Sequence, residues 1–557
     1  MLLKGRQLDK FTWFVPFIYL FIYLMTLASH HNEAEDALAY AFSVSQGDAL
    51  KLFHPNHLLF ETFSFWFHKL LSIAFSGIHV ITSMQILQSI SGALVLWISL
   101  RVMESLGMDS FWQVFSAICI GSAYGFWAYS VEADTYVLPI LFLMLAVQEL
   151  LKVGQGDWGY PRFLLMATFL SLATLVYQQH VLAFLVFFVP LAVFCLEGKL
   201  RFSMVFTRLA TMYGVAALLV GGGYLSVAFF VPSATDASTL GEAVVWSLGH
   251  GSKGTFVEFG ASSFLKSMVG LFKAIWGVNF LFGYDSFVNY SRTLFPGLSG
   301  FEETYMAATL NPWVKGLALA TLVFGLLSFA ACIVLIVLRG AIFRDLLKNG
   351  GYIVFALTFL MVYAIFNTVY YPENLEFWIA VVPILFILMG FILSKQDVSQ
   401  NWLRPVFAVV SLGMLIPNAI GSIIPQSFEE GDFWKDFSQY YVEETFSEDR
   451  IIVHCGYGCA PRLHWWSPSQ VHHFDEIEFA ELESMLSRTD PDSGRILVSS
   501  WVLNPPQGLV AKKWDADPEE EEKRRLLNGY SSNMLIVHRD KIQTIYQLDF
   551  SARAVVE

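Results

Sequence analysis

Two acidic stretches and one histidine-rich stretch contain the residue types that could do chemistry. Residues 30–40, directly after the first apolar run, read HHNEAEDALAY. On a helix, Asp36 shares a face with Tyr40 four positions later and with Glu33 three positions earlier. A carboxylate here could deprotonate an acceptor hydroxyl or help to hold a divalent cation. Asp36 is the first candidate for a catalytic base, ahead of Glu35, and the alternative is an acidic, solvated helix start.

The same loop continues to a histidine pair, His54-Pro55-Asn56-His57. The spacing is unlike that of a zinc site, which draws on several thiolate or imidazole ligands. His54 and His57 are therefore candidates for binding a phosphate or a sugar hydroxyl. The alternative is a polar helix start whose direction is set by the proline.

A second acidic motif, Glu132-Ala133-Asp134-Thr135-Tyr136, opens a later apolar run. Glu132 and Asp134 could chelate Mg²⁺ or Mn²⁺, which prefer oxygen ligands, or they could cap the helix. His180 ends a polar triplet in a tight turn between two apolar runs. It could reach a sugar or phosphate, and the alternative is a polar membrane turn.

The segment 370–378 reads YYPENLEFW. Its proline ends one apolar run, and the polar residues begin the next. Asn374 and Glu376 could bind sugar hydroxyls, while the ring of Tyr371 could stack on the apolar face of a sugar. The alternative is an interfacial aromatic belt with helix capping.

These stretches lie in a chain whose composition is that of a membrane protein. It has 557 residues, of which 55% are hydrophobic and only 15% charged. Soluble domains carry about 25% charged residues. The net charge of −13 comes largely from the C-terminal part, and no basic tract indicates nucleic acid. We expect a mainly α polytopic transmembrane helix bundle.

Apolar runs of spanning length predict about eleven transmembrane helices. Two further apolar segments, 58–76 and 262–283, carry charges and are predicted to be amphipathic helices on the membrane surface. The predicted spans are 11–29, 78–100, 111–130, 133–151, 162–179, 181–196, 207–231, 313–338, 351–370, 375–394 and 403–424.

Lysine and arginine distribution predicts the orientation. With a cytoplasmic N-terminus, basic residues collect in the cytoplasmic loops, and the short outer loops contain only Lys51 and Lys69. An odd number of spans then places the C-terminus outside. Every polar stretch described above falls on that outer face. We therefore expect a multi-pass protein, typical of a bacterial inner membrane, whose polar groups meet at one surface.

Residues 1–424 are predicted to be the transmembrane domain, with outer loops 30–77 and 231–312. Residues 425–557 are predicted to be a small soluble α/β domain on the non-cytoplasmic face, because strand and helix patterns replace the apolar runs. The predicted strands are 450–454, 495–499, 534–538 and 544–548, and the predicted helices are 476–488 and 518–527. Cys455 and Cys459 in this domain could form a disulfide or remain free thiols.

This layout resembles the GT-C superfamily of polytopic glycosyltransferases, which includes protein O-mannosyltransferases, aminoarabinose transferases and oligosaccharyltransferases. The shared features are an acid in the first outer loop (Asp36), an acidic motif in the second (residues 132–136), about eleven spans and an outer C-terminal domain. The stretch 371–378 is similar to a segment of uncharacterised bacterial relatives. The Trp-Trp-Asp motif of oligosaccharyltransferases has only the near match Trp465-Trp466-Ser467. That difference argues against an asparagine-linked transferase.

The resemblance implies a polyprenyl-phosphate-linked sugar as donor and a lipid, glycan or protein hydroxyl as acceptor. Asp36 would be the base. Glu132 and Asp134, or a cation that they hold, would stabilise the leaving phosphate, or else His54, His57 or an outer cation would do so. Two other functions stay open: a transporter or flippase of lipid-linked glycans, and a non-catalytic membrane scaffold. A transporter would place ionisable groups near the bilayer midplane on broken helices.

Overall fold

The structure is a computed structural model of the chain. By its internal contacts the chain divides into two compact units. The first comprises residues 1–28, 43–278 and 312–427, and the second comprises residues 29–42, 279–311 and 428–557. The structure describes residues 12–31, 33, 34, 36–48, 52–196, 202–231, 234, 235, 237–249, 256–294, 300–338, 351–395, 403–453, 463, 467, 469–474, 477–487, 495–503, 518–530, 534–539 and 543–548.

The first unit is built of apolar helices. They are α1 (Phe14–Met25), α3 (Phe60–Ala74), α4 (Val80–Ser105), α5 (Ser110–Ser122), α6 (Tyr124–Ser130), α7 (Val137–Gly154), α8 (Tyr160–Val176), α9 (Leu182–Leu196), α10 (Phe202–Phe230), α11 (Leu240–Gly249), α12 (Ala261–Ile275), α15 (Pro312–Leu338), α16 (Gly351–Val369), α17 (Val381–Ser394) and α18 (Leu403–Asn418). A helix α2 (Ala37–Gln46) begins in the second unit and ends in the first.

Within the described residues, six helices are long and apolar enough to cross a membrane, and five shorter apolar helices accompany them. Each of the predicted spans overlaps one of these helices, and the prediction of a polytopic helix bundle is confirmed. The two segments predicted to be amphipathic also contain helices, α3 and α12. Their position on the membrane surface stays a prediction, as does the orientation of the chain.

Two close contacts hold α18 in the bundle. Gly413 packs directly on Gly325 of α15, because a Cβ at Gly413 would lie 2.3 Å from the Gly325 Cα. Small residues allow such close approach of membrane helices. At the end of α18, the buried Asn418 donates to the carbonyls of Ser122 and Ile275 at 2.7 and 2.8 Å. A π-helical turn, Ala419–Ile423, follows.

The second unit contains a five-stranded sheet. Its strands are β1 (Arg450–Val453), β2 (Gln470–His473), β3 (Ile496–Ser499), β4 (Met534–Arg539) and β5 (Thr544–Leu548), in the order β2-β1-β3-β5-β4. The first three are mutually parallel, and β5 is antiparallel to β3 and β4. The four predicted strands are confirmed. The edge strand β2 is missing from the prediction, because QVHH contains one apolar residue and no apolar run.

Helices cover both faces of this sheet. They are α19 (Phe433–Glu443), α20 (Phe479–Ser487), α21 (Ser500–Leu503) and α22 (Pro518–Gly529), and the unit also holds α13 (Asp285–Leu294) and α14 (Phe301–Thr309). One apolar cluster joins α19 to Ile451, Leu497 and Ile545, and a second lies on the opposite face. Cys455, Cys459, Trp465 and Trp466 lie outside the described residues. The predicted division at residue 424 stays a prediction.

Candidate functional site

The second acidic motif lies in irregular backbone between α6 and α7. Residues 131–136 are neither helix nor strand, so their backbone groups need partners from elsewhere. The Val131 carbonyl accepts from the Ala28 N–H at 3.2 Å. The Ser130 carbonyl accepts from the Ser89 hydroxyl at 2.9 Å. These bonds make an ordered non-helical segment possible inside a helix bundle.

Both carboxylates of this segment are buried, with Glu132 only 3% and Asp134 only 2% exposed. Asp134 Oδ1 accepts from the Thr135 N–H at 2.5 Å. The side chain of Gln88 caps α7 just beyond, since its Oε1 accepts from the Leu138 N–H at 3.0 Å. Burial of two carboxylates is costly unless their surroundings compensate it, which is why such positions are candidates for function.

The loop after α16 carries a strained backbone. Tyr371 has φ of 43° and is the one non-glycine residue with positive φ in the described part of the chain. Its ring is 45% exposed and lies parallel to the ring of Phe377, with 6.1 Å between centroids. Strain of this kind persists only where surrounding contacts impose it, and it concentrates at ligand sites.

The same loop is held by amide side chains. Asn374 Oδ1 caps the 3-10 turn Leu375–Trp378 by accepting from the Glu376 N–H at 3.3 Å. Its Nδ2 donates to Glu376 Oε1 at 2.8 Å. Asn367, buried in α16, donates to the Phe377 carbonyl at 3.0 Å. Asn374 and Glu376 therefore have fixed positions rather than mobile ones.

Tyrosines bring the two segments together. Tyr129 donates to Glu376 Oε2 at 3.2 Å. Tyr136 makes edge contacts with the rings of Tyr129 and Tyr177, at centroid distances of 5.0 and 4.8 Å. The side chain of Tyr177 lies near Tyr136 and near the carboxylates of Glu376 and Asp134. We call the set Tyr129, Asp134, Tyr136, Tyr177, Tyr371, Glu376 and Phe377 the acidic–aromatic cluster.

The acidic–aromatic cluster could bind a ligand that is rich in hydroxyl groups. Its carboxylates accept hydrogen bonds from hydroxyl groups, its tyrosine hydroxyls donate and accept them, and its rings offer apolar faces. A few placed polar groups among aromatic side chains are the usual lining of a small-molecule pocket. The cluster itself supplies no cation for a phosphate.

His180 lies near this cluster but points elsewhere. Its Nδ1 is 3.0 Å from the Tyr363 hydroxyl, and the ring is buried. The neighbouring Gln179 donates to Asn367 Oδ1 at 2.9 Å, and so supports the loop that holds Glu376. The polar triplet at residues 178–180 is thus hydrogen-bonded to α16, in addition to any contact with a ligand.

His54 and His57 form a stacked pair, with ring centroids 4.3 Å apart. His57 Nδ1 lies 2.9 Å from Glu61 Oε2, and both residues are buried. His54 accepts from the Asn56 N–H at 3.3 Å, which fixes the turn over Pro55–His57. The sequence pattern did not identify Glu61 as the partner of His57, although the spacing of four residues on a helix was a signal for it.

Asp36 lies in the second unit, at the start of α2. Its side chain is exposed and accepts from the Tyr40 hydroxyl at 3.2 Å, as the spacing of four residues predicted. Glu33 accepts from the side chain of Asn279 at 3.3 Å. Glu35 lies outside the described residues.

The described residues contain no group of three or more histidine, cysteine or acidic side chains that could hold a metal ion. Among these residues, Glu132 and Asp134 belong to no such group. Mg²⁺ often binds to one or two carboxylates and takes its other ligands from waters and substrate phosphates. The pair fits that kind of site.

Sequence reasoning missed Tyr129, Tyr177, Asn367 and Asn279. Tyr129 and Tyr177 lie three residues and one residue from polar motifs that were identified. That proximity was a usable signal. Asn367 and Asn279 lie within apolar or aromatic sequence, and a lone asparagine there was also a signal, because a buried amide needs partners.

Comparison with known proteins identifies the fold. No protein-family model matches the chain, and no curated protein matches it. Among solved structures, the chain is similar to ArnT from Cupriavidus metallidurans bound to undecaprenyl phosphate, with 11% identity, a TM-score of 0.55, and coverage of 97% of this chain and 98% of that chain. The apo state of the same protein gives 12% identity, a TM-score of 0.53, and coverage of 96% and 97%.

A third similar structure is the oligosaccharyltransferase AglB from Archaeoglobus fulgidus, with 13% identity, a TM-score of 0.46, and coverage of 88% of this chain and 70% of that chain. The chain therefore has the same fold as the two ArnT structures, in line with the fold that the resemblance implied. Together with its long apolar helices, this makes it an integral multi-pass membrane protein.

Proposed function

We propose that the chain is a membrane glycosyltransferase that moves a sugar from a polyprenyl-phosphate-linked donor to an acceptor hydroxyl on the non-cytoplasmic face. The observation that supports this most is the GT-C fold along 97% of the chain. The acidic–aromatic cluster adds support, because its groups suit a sugar. The transferred sugar is a hexose or a pentose, and the acceptor is a lipid, a glycan or a protein.

In the proposed reaction, Asp36 takes the proton of the acceptor hydroxyl. The acceptor oxygen forms a bond to the anomeric carbon of the sugar, and the bond from that carbon to the phosphate oxygen breaks. The polyprenyl phosphate leaves with the electron pair, and the configuration inverts. Tyr40 holds the Asp36 carboxylate through its hydroxyl, with an O···O distance of 3.2 Å.

The acidic–aromatic cluster binds the sugar in this proposal. Glu376 is held by Tyr129 and Asn374 and accepts sugar hydroxyls, and Tyr371 stacks on the ring. His54, His57 and His180 remain proposed contacts of the sugar or phosphate. The membrane lipids around the bundle dissolve the polyprenyl chain of the donor.

Glu132 and Asp134 are the residues that would hold Mg²⁺ or Mn²⁺ together with phosphate oxygens. A bound cation would neutralise charge on the leaving phosphate. To test this proposal, purified protein with bound donor is titrated with Mn²⁺. The electron paramagnetic resonance signal of the bound Mn²⁺ is recorded. Glu132→Gln with Asp134→Asn should abolish the bound signal, and an unchanged signal would exclude this pair as ligands.

The test of the function is transfer by purified protein in lipid nanodiscs. Hexosyl- and pentosyl-linked polyprenyl phosphates are supplied with a lipid extract as acceptor, and release of polyprenyl phosphate is measured. Asp36→Asn should lower the rate by about 10²- to 10⁴-fold, the usual contribution of a positioned general base. Asp285→Asn, the same change on an exposed acid of α13, is the matched control.

The same variants can be tested in cells. A deletion strain is complemented with wild type, Asp36→Asn or Asp285→Asn, and its envelope glycans and lipids are compared. Restoration by Asp36→Asn would remove this residue from the mechanism. For orientation, reporters fused after residue 153 and after residue 530 should report the cytoplasm and the opposite side respectively, and reporters on one side would refute the proposed topology.

A further inference from the structure

The segment that carries Asp36 is part of the second unit rather than of the helix bundle. Residues 29–42 group with residues 279–311 and with the sheet region. Ala34, Ala37, Leu38 and Ala41 are buried, whereas Asp36 between them is exposed. One side of the segment is thus packed, and the packed side determines where the Asp36 carboxylate lies.

Asn279 makes the first polar contact with this segment. Its side chain is 2% exposed, and Nδ2 donates to Glu33 Oε1 at 3.3 Å. Glu33 is three residues before Asp36. A hydrogen bond from a buried amide to a carboxylate is among the stronger kinds, because one partner is charged.

Asn279 begins the 3-10 turn Asn279–Gly283, and this turn is packed against the start of α14. Gly300 has φ of 55°, and a Cβ there would lie 2.5 Å from the ring of Phe282. Glycine is therefore needed both for the backbone conformation and for the close approach. The turn and the start of α14 are therefore in close contact.

Helix α14 is in turn joined to α19. The indole N–H of Trp434 donates to Glu302. Tyr305 donates to Asp436 Oδ2 at 2.6 Å, and its ring makes an edge contact with Phe433 at 5.5 Å. Two hydrogen bonds and an aromatic contact therefore connect these helices along a single face.

Helix α19 belongs to the core of the sheet. The rings of Phe433 and Trp434 are buried against Trp501, which directly follows β3. A continuous series of described contacts thus runs from the sheet through α19, α14 and the turn at 279–283 to Glu33. Series of packed side chains like this can transmit a displacement.

We propose that the sheet region positions the catalytic base: through Trp434, Glu302 and Asn279 it holds the segment 29–42 in the geometry that Asp36 needs. Asn279 and Glu302 are then positioning residues of the transfer reaction. This inference depends on the proposed role of Asp36. It gives the soluble part of the chain a function in catalysis, because any acceptor that displaces the sheet region would also displace Asp36.

The first test measures the segment itself, without any enzymatic assay. Hydrogen exchange with mass spectrometry is recorded on the full-length protein in nanodiscs. Asn279→Ala should raise exchange of peptides from residues 29–42 by about tenfold, since a hydrogen bond to a charged group is lost. Asn289→Ala on the exposed side of α13 is the matched control and should not change it.

A second variant tests the distant end of the series. Trp434→Phe keeps an aromatic ring in the core but removes the donor to Glu302, whereas Phe474→Leu alters the apolar cluster on the opposite face of the sheet. We expect faster exchange in residues 29–42 for Trp434→Phe only. Equal exchange in both variants, or unchanged exchange in Asn279→Ala, would overturn the inference.

Rescue separates positioning from general damage. Asn279→Asp places two carboxylates opposite each other and should loosen the segment, and adding Glu33→Gln should restore it through an amide donor. In the transfer assay, Asn279→Ala should lower kcat while KM for the donor stays within twofold. An equal rise of KM would contradict positioning. If wild type transfers no sugar, the proposed function fails, and the exchange data still decide whether the sheet region holds the segment.

Discussion

Replacement of Tyr371 by asparagine should lower the transfer activity while it leaves the free energy of unfolding nearly unchanged. Tyr371 is the strained residue of the acidic–aromatic cluster, with φ of 43° and a ring that is 45% exposed. Asparagine adopts this left-handed conformation more readily than tyrosine does. If tyrosine is present at this position for its ring, the substitution should reduce the backbone strain and remove the contact with the sugar.

The expected magnitude follows from two opposing terms. Left-handed backbone costs a non-glycine residue roughly 1–2 kcal/mol, of which asparagine recovers a large part. Loss of the parallel ring pair with Phe377 costs about 0.5–1.5 kcal/mol. The free energy of unfolding should therefore change by at most about 1 kcal/mol, which is the difference between these terms. The stacking contact with the sugar is lost completely, so kcat/KM for the donor should fall by about two- to tenfold.

The assay combines thermal unfolding in detergent with transfer kinetics at several donor concentrations. Tyr371→Phe is the matched control, because it keeps both the ring and the strain and removes only the hydroxyl. The control should keep most of its activity if the ring face makes the contact. The asparagine variant should show its loss mainly as a raised KM for the donor.

Two outcomes would refute this reasoning. A large loss of stability in Tyr371→Asn would mean that the left-handed backbone is not a cost to the fold. Full activity in the same variant would mean that the ring does not contact the sugar. A loss of activity in Tyr371→Phe as large as in the asparagine variant would assign the role to the hydroxyl instead of to the ring.

Two further predictions concern folding stability, one for each unit. Gly413→Leu should abolish folded protein in detergent, because a Cβ at this position would lie 2.3 Å from the Gly325 Cα. Size-exclusion chromatography measures the folded fraction. Gly316→Leu is the control and should be tolerated, because a Cβ at Gly316 would meet no atom within 4 Å. In the second unit, burial raises the pKa of Asp449, but hydrogen bonds led by Arg495 outweigh it and bring the pKa below the ordinary 3.8. The folded pKa is the lower one, so this stabilisation is present above the ordinary value and is lost as the pH falls through the folded pKa. In Asp449→Asn, the free energy of unfolding, followed by tryptophan fluorescence, should fall less steeply at acidic pH than in wild type. An unchanged pH dependence would contradict the role given to Asp449.

The candidate site shows how far local sequence reasoning reached. Asp36, Tyr40, Glu132, Asp134 and Glu376 were singled out because polar groups are rare and costly in an apolar chain. Helical spacing placed Asp36 and Tyr40 on one face, and the two side chains are hydrogen-bonded. Their roles in catalysis or binding stay predictions.

Other parts of the site have no local signature. Tyr129 and Glu376 are hydrogen-bonded although they are separated by 247 positions in the chain. The contact of Asn279 with Glu33 spans 246 positions. Neither spacing is periodic, so no pattern in a single sequence predicts which of the many tyrosines and asparagines is the partner.

The sequence by itself determined that this chain forms a bundle of apolar helices followed by a small α/β region, because transfer of a segment into a membrane and the period of its side chains are local properties. Only the tertiary structure decided which tyrosines surround Glu376, which backbone is strained at Tyr371, and that residues 29–42 pack with the sheet region. Those features depend on how distant segments pack, and packing is a property of the whole chain.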